Sequence, residues 1–396
     1  MRTLLIAAAL VAVVGPAQAD PGTDFGPQVR AMFRVAACGS DDAVPDKFSI
    51  KTIDAHCKEM AAVYNSYKRA WADEAQKFIA ELRPKDLTHT VVYPFGGGDL
   101  SSALAVYPDA TELTTISLEA AGDVRVIDSI TKGTLANDLD EITLDLRRLY
   151  RAAHSTTKSL QAASHSQLPG TIMMALAGLA VHGMEPTALR YFDIEPDGTL
   201  HYLTNDELES RAAEYAASKR GDKAPKKITH FWYEQDSAFA NVEIQYRPRG
   251  DAKAALRTYR HIVANLDDSH MDADERVLKH LRAKGKVAVM TKAASFLLWY
   301  DDFSHVRDYL LKNIAWMVSD ASGIPPSYAD PAGYEQVTYG DFTGPYFIID
   351  EKNTRAEFVK LWKNQTHRDL PFRFGYPDNA KHNHLMITRP KPSGTK

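Results

Sequence analysis

The stretch "VVYPFGGGDLSSALAVYPDATELTTISLE", Val91 to Glu119, decides the fold. Its first part, preceded by His89-Thr90, is a β-branched and aromatic run that predicts a buried strand. "LSSALAVYP" predicts a short helix and "ELTTISLE" a second strand. A strand, a glycine turn, a helix and a further strand form a β-loop-α-β unit, the seed of an α/β sheet. Gly96, Gly97 and Gly98 let backbone approach a ligand, the helix from Leu100 offers free N–H groups, and Glu119 stands about twenty residues downstream, where a ribose would be held. Two residues oppose the nucleotide reading. Ser101 stands where the last glycine of the fingerprint belongs, and Asp99 puts negative charge where a pyrophosphate would sit, so that it caps the helix instead.

Outward from that unit, strands and helices alternate. Ile50 to Leu82 carries Met60, Val63, Tyr64, Tyr67, Trp71, Phe78, Ile79 and Leu82 at helical spacing, and Arg83-Pro84 ends the helix. "DLDEITLDLRRLYRAAHSTTKSLQAAS" and "GTIMMALAGLAVHG" predict two more helices; the second has a close-packing face of Ala and Gly178 and is too short to span a bilayer. "LRYFDIEPDGTLHYLT" is a hairpin turning at Pro-Asp-Gly, followed by strands at "ITHFWYEQ", "NVEIQYRP" and "ALRTYRHIVANL". A helix starting at Asp272-x-x-Glu275 and stopping at Gly285 leads to the strand "KVAVMTK". "AASFLLWYDDFSHVRDYLLKNIAWMVSD" predicts a long helical region with a break near Asp301-Asp302, and the last third is Pro- and Gly-rich strand and loop. The expected architecture is α/β. A Rossmann-like core with extra strands and a hairpin forms one continuous domain, 86–396, after a helical N-terminal arm, 20–85.

The first nineteen residues, "MRTLLIAAALVAVVGPAQA", read as a secretory signal peptide: a charged Arg2, an apolar run, a Gly15-Pro16 break and a small-x-small end before Asp20. The mature chain is then expected in the periplasm or outside the cell, with no membrane span. The whole chain has a formal charge of −4, from 47 Lys and Arg against 51 Asp and Glu. The leader holds one Arg and no acid, so its loss leaves −5, and no basic field draws nucleic acid or anionic lipid. Cys38 and Cys57 are the only cysteines, and an even pair in an exported chain reads as one disulfide worth roughly 3 kcal/mol.

Candidate site residues centre on the glycine turn. Tyr93, Gly96, Gly97 and Gly98 would line a crevice at the strand ends, while Asp99 and Glu119 could divide acid and base roles as paired carboxylates do; their alternatives are a helix cap and a pair with Arg125. Lys292, Ser295, Asp302 and Arg307 occupy a strand-to-helix junction that could face the same sheet edge. Ser155-x-x-Lys158 matches a penicillin-binding nucleophile motif, but Ser129-x-x-Lys132 matches too and no Lys-Thr-Gly follows. The acidic run Asp267 to Glu275 lacks the glycine and terminal Glu of a calcium hand, and reads as a helix N-terminus. His382 and His384 have no third local metal ligand and suit a partly exposed edge strand; no metal is assigned. Lys219 to Lys227 is a basic turn, and the Arg-Gly-Asp sequences at Arg220 and Arg249 read as turns.

Four pieces in order, "VVYPFGGGDLSSALAVYPDATELTTISLE", "KAASFLLWYDDFSHVRDYLL", "DASGIPPSYAD" and "LPFRFGYP", resemble a family of exported bacterial proteins with no established function. The resemblance implies an exported α/β protein and brings no catalytic residues. No cofactor is assigned. The expected role is ligand binding or scaffolding at the glycine turn, with a small molecule or a cell-envelope component as partner. The alternatives are a hydrolase using Asp99 and Glu119, and a nucleotide- or S-adenosylmethionine-dependent transferase, whose reagents belong to the cytoplasm.

Overall fold

The computed structural model describes residues 22–152, 167–218, 239–292, 294–320, 323–342, 354–374 and 383–392. The leader, Ser155 and Lys158, the expected strand at 228–235, Lys219 to Lys227 and His382 lie outside them. The described chain is mixed α/β. Ten strands form one sheet: β1 Thr90–Pro94, β2 Glu112–Ser117, β3 Met184–Ile194, β4 Leu200–Tyr202, β5 Val242–Pro248, β6 Arg257–Val263, β7 Val287–Thr291, β8 Ile314–Ser319, β9 Tyr334–Gly340 and β10 His384–Pro390. Their order is β4-β3-β5-β6-β2-β1-β7-β8-β10-β9.

The middle of the sheet, β6-β2-β1-β7-β8, is parallel, and both flanks are antiparallel. Central parallel strands are covered on both faces, and β1, β7 and β8 are accordingly buried along nearly their whole length. Val91 and Tyr93 of β1 belong to one core cluster and Val92 to the other, as the two-residue period requires. From β1 the chain steps to β2 on one side and returns as β7 on the other. The β1/β7 boundary is therefore where the strand order reverses, and the carboxyl ends of strands at such a point leave a crevice.

Seven helices lie among the described residues before β3: α1 Gly26–Val35, α2 Ile50–Tyr67, α3 Asp73–Leu82, α4 Leu100–Val106, α5 Val126–Ser129, α6 Lys132–Ala152 and α7 Gly170–Val181. Ser49 caps α2 by accepting from the Thr52 N–H, and Arg83, extended before Pro84, ends α3. The run from Ile50 to Leu82 is helical as its spacing predicts, but Lys68–Ala72 form a π turn between α2 and α3. Trp71 lies in that turn, 2% exposed. The N-terminal helices are built into the main core, where Met32, Phe33, Met60 and Ile79 join the cluster under β1. Cys38 and Cys57 form the expected disulfide, with Cα atoms 5.3 Å apart. Gly178 packs closely, since a Cβ there would come within 2.9 Å of the Ser101 nitrogen.

Three expectations need correction. The supposed long helix after Ala294 is two 3₁₀ turns, Ser295–Trp299 and Asp301–Phe303, then a helix Ser304–Asn313, and Ile314–Ser319 is the strand β8. "IAWMVS" is short, buried and bonded to β7, so burial beside a waiting strand overrides a helical spacing. Next, the acidic run starts a helix earlier than Asp272: Asp267 caps Asp268–Ala273, and a separate helix, Arg276–Ala283, follows Glu275. Finally, β10 lies between β8 and β9, and His384 is 2% exposed instead of edging the sheet.

Candidate functional site

β1 ends at Pro94, and Phe95 turns the chain with a left-handed φ of 61°. Past the end of β7, Ala294 does the same with φ 55°. Each non-glycine residue in that region costs about 1–2 kcal/mol, so both turns beside the β1/β7 boundary store strain. Gly96 and Gly98 are required by the protein's own packing. A Cβ on Gly96 would lie 2.6 Å from the Tyr93 ring, and one on Gly98 2.8 Å from the Met174 Cβ. The turn therefore nests against α7 and β1, in the place where a dinucleotide turn would admit phosphate.

Asp99 is the N-cap of α4: its Oδ1 accepts from the Ser102 N–H at 3.2 Å. Its other oxygen accepts from the Tyr93 hydroxyl at 3.2 Å. Lys292, which follows β7, crosses to the same group. Its ammonium donates to Ser102 Oγ at 2.8 Å and lies 3.6 Å from Asp99 Oδ2. The Trp71 ring covers that ammonium, 4.7 Å from its centroid, with Phe374 at 6.0 Å. Trp71 is fixed by its indole N–H, which donates to the Arg373 carbonyl at 2.6 Å.

Lys292 is 2% exposed and Asp99 also 2%. Burial pulls the lysine pKa below its ordinary value, and the carboxylates of Asp99 and Asp320 pull it back up. Burial, with Asp99 beside it, pushes the Tyr93 phenol well above its usual range. Asp320, fully buried just past β8, accepts from the Ser295 hydroxyl at 2.7 Å. One cation thus faces two carboxylates. On the opposite face of the same strand ends, Thr291 and Ser319 are register partners, both 0% exposed, and neither hydroxyl has a hydrogen-bond partner. Leaving a buried hydroxyl unsatisfied costs about 1–3 kcal/mol.

The structure brings Tyr93, Asp99 and Lys292 into one cluster, with Ser295 one step away through Asp320. Glu119 stands apart. Its carbonyl accepts from His261 Nε2 at 2.8 Å and its N–H donates to Ser117 Oγ. Arg125, its suggested partner, binds Asp123 at 2.9 Å and Glu209. Arg307 is buried but serves the 3₁₀ turns, donating to the carbonyls of Leu298 at 3.0 Å and Tyr300 at 2.8 Å while stacking over Tyr328. Asp302 is exposed. Trp71, Ser102, Asp320 and Phe374 were not legible as site residues, because nothing near them in sequence distinguishes them from core and cap positions.

Among the described residues no cluster of His, Cys, Asp and Glu could hold a metal ion, and no helix is long and apolar enough to cross a membrane. Comparison of the chain with protein-family models, with curated proteins and with solved structures finds no match in any of the three.

Proposed function

We propose that this chain is an exported protein with a Rossmann-like core and a helical N-terminal arm, which binds a small polar ligand at the carboxyl ends of β1, β7 and β8. The single observation that carries the reading is the buried polar cluster at those strand ends: the Lys292 ammonium donates to Ser102 Oγ and lies beside Asp99, whose carboxylate also accepts from the Tyr93 hydroxyl. A buried cluster of one ammonium, one carboxylate and hydroxyls suits a small molecule such as a polyol or a small organic cation that trades hydrogen bonds with it, and Asp99 at the start of α4 repels phosphate. The same features weigh against a nucleotide, whose phosphates would meet Asp99 at the start of α4. Paired-carboxylate hydrolysis gains no support, because Asp99 is engaged by Lys292, Tyr93 and the helix N-terminus, and Glu119 is not part of that cluster. The resemblance to exported proteins of unassigned activity agrees with a binding role and adds no chemistry.

The test is a thermal-shift series on residues 20–396 with polyols and sugars, alkylammonium ions, inorganic phosphate and nucleotides. A bound ligand at a hundred times its Kd stabilises by about 2.7 kcal/mol, a shift of a few degrees in a chain of this size. Stabilisation by a polyol or ammonium probe that Ser102→Ala or Lys292→Met removes supports the reading. Stabilisation by phosphate or nucleotide, or by no probe, overturns it.

A further inference from the structure

The disulfide joins a turn to a helix, and its two sulfurs have different neighbours. Cys57 lies within α2, facing Arg34 in the last turn of α1. One terminal nitrogen of that guanidinium donates to Cys57 Sγ at 3.7 Å. Its Nε donates to the Asp42 carbonyl at 2.8 Å, and its other terminal nitrogen lies 3.6 Å from the Asp54 carboxylate. Asp54 is 63% exposed against 13% for Arg34, so solvent screens the acid more than the cation. Among the described residues Cys38 Sγ accepts no such bond. Arg249 approaches its turn only at the Gly39 carbonyl, 2.5 Å away.

The turn that carries Cys38 has fastenings of its own. His56 Nε2 donates to the Ala36 carbonyl at 2.8 Å, the Tyr64 hydroxyl to the Ala37 carbonyl at 2.7 Å, and the Gly39 N–H to the Phe33 carbonyl at 3.0 Å. Together they hold Cys38 at a left-handed φ of 54°. Both cysteines are partly exposed, so a thiol can reach them in the folded protein. We infer that Cys38 is a site of reversible modification by a small thiol. The incoming thiolate attacks Cys38 Sγ, the bond between the two cysteines breaks, and its electron pair leaves on Cys57 Sγ as a thiolate beside Arg34. A sulfur whose thiolate is stabilised leaves faster, which directs the attack to Cys38. The product is a mixed disulfide on Cys38. Because the turn keeps its place, the Cys57 thiolate can attack Cys38 again, expel the thiol and close the bond.

The probe is glutathione, added to oxidised residues 20–396 without denaturant. Samples are quenched in acid at intervals, which stops exchange, and peptide mass spectrometry maps the adduct and the free thiol. Glutathione is expected on Cys38 and the free thiol on Cys57, with the near-ultraviolet circular dichroism of the folded protein kept throughout. Arg34→Met should slow adduct formation roughly fivefold and spread it over both cysteines, since the leaving thiolate loses its cation. Asp54→Asn should speed it, because the guanidinium is then opposed by no carboxylate. This second variant keeps Arg34 and its packing, and so separates charge from structure. An adduct mainly on Cys57, an even split in the wild-type protein, an unchanged rate in Arg34→Met, or an adduct that forms only in urea would each overturn the site.

Discussion

Two charged clusters lie inside this molecule, and they are built differently. On the face of the sheet opposite Lys292, Arg260 binds Glu243 at 2.8 Å and also Glu112, which Lys284 joins, while the Tyr202 hydroxyl donates to Glu243 at 2.6 Å. Two cations meet two carboxylates there, and each charge is directly hydrogen-bonded. At the ends of β1 and β7 the Lys292 ammonium lies 3.6 Å from Asp99, and its hydrogen bond goes to the Ser102 hydroxyl instead. The first cluster has the composition of a structural tie. The second has that of a site with something to add.

The largest expected effect lies in the matched cluster. Arg260→Met leaves Glu243 and Glu112 short of their cation, and breaking a largely buried pair costs about 3–5 kcal/mol. Urea unfolding at pH 7 measures it; a loss below about 1 kcal/mol would show that the cluster is not a tie.

Lys292→Met should cost about 3 kcal/mol at pH 7, the lower end of that range, because its pair with Asp99 is longer. Urea unfolding measures it, and a loss below about 1 kcal/mol would contradict Lys292 as the cation that holds Asp99.

Acid should weaken the matched cluster. Burial, with help from Lys284 and Arg260, pulls His280 down to about 4 from the 6.5 of an ordinary histidine. Its neutral form is favoured by folding, so its contribution is whole above pH 6.5 and is lost between there and pH 4, at about 1.4 kcal/mol per pH unit. His280→Gln should flatten that part of the stability profile. His182, also lowered to about 4 by burial, supplies a second slope of the same sign that the variant leaves intact.

Removing an unpartnered hydroxyl gives a smaller and inverse effect. Thr291→Val should stabilise the unliganded protein by about 1 kcal/mol, read as a rise in Tm, since it deletes an unsatisfied group and keeps the shape. Glu119→Gln should change stability by less than about 0.5 kcal/mol. A large loss there would restore Glu119 to the site.

The local part of this account was open to sequence reasoning. The unit β1, glycine turn, α4 and β2 is written in contiguous residues, as are the Pro-Asp-Gly hairpin, the Gly178 contact and the cap formed by Asp99. What failed to show depends on distance along the chain. Ile314–Ser319 follows a helix with no Gly or Pro between, so only its pairing with β7 identifies it as a strand. His384 is internal because β9 folds back outside β10, an order no local pattern records. Trp71, Lys292 and Phe374 converge from three distant segments, and the indole looks from sequence like any other apolar position on a helix. Lys292 was legible only as a charged residue at a strand end; its burial is what makes it informative.

The most direct test of the contrast is the ligand-dependent thermal shift of wild-type protein beside Ser102→Ala, which removes the hydroxyl that accepts from Lys292. The account predicts that a neutral polyol or small organic cation raises the wild-type midpoint by a few degrees, and that the variant gains little from the same probe. An equal gain in both proteins, or a gain from phosphate alone, would contradict the crevice as the binding site.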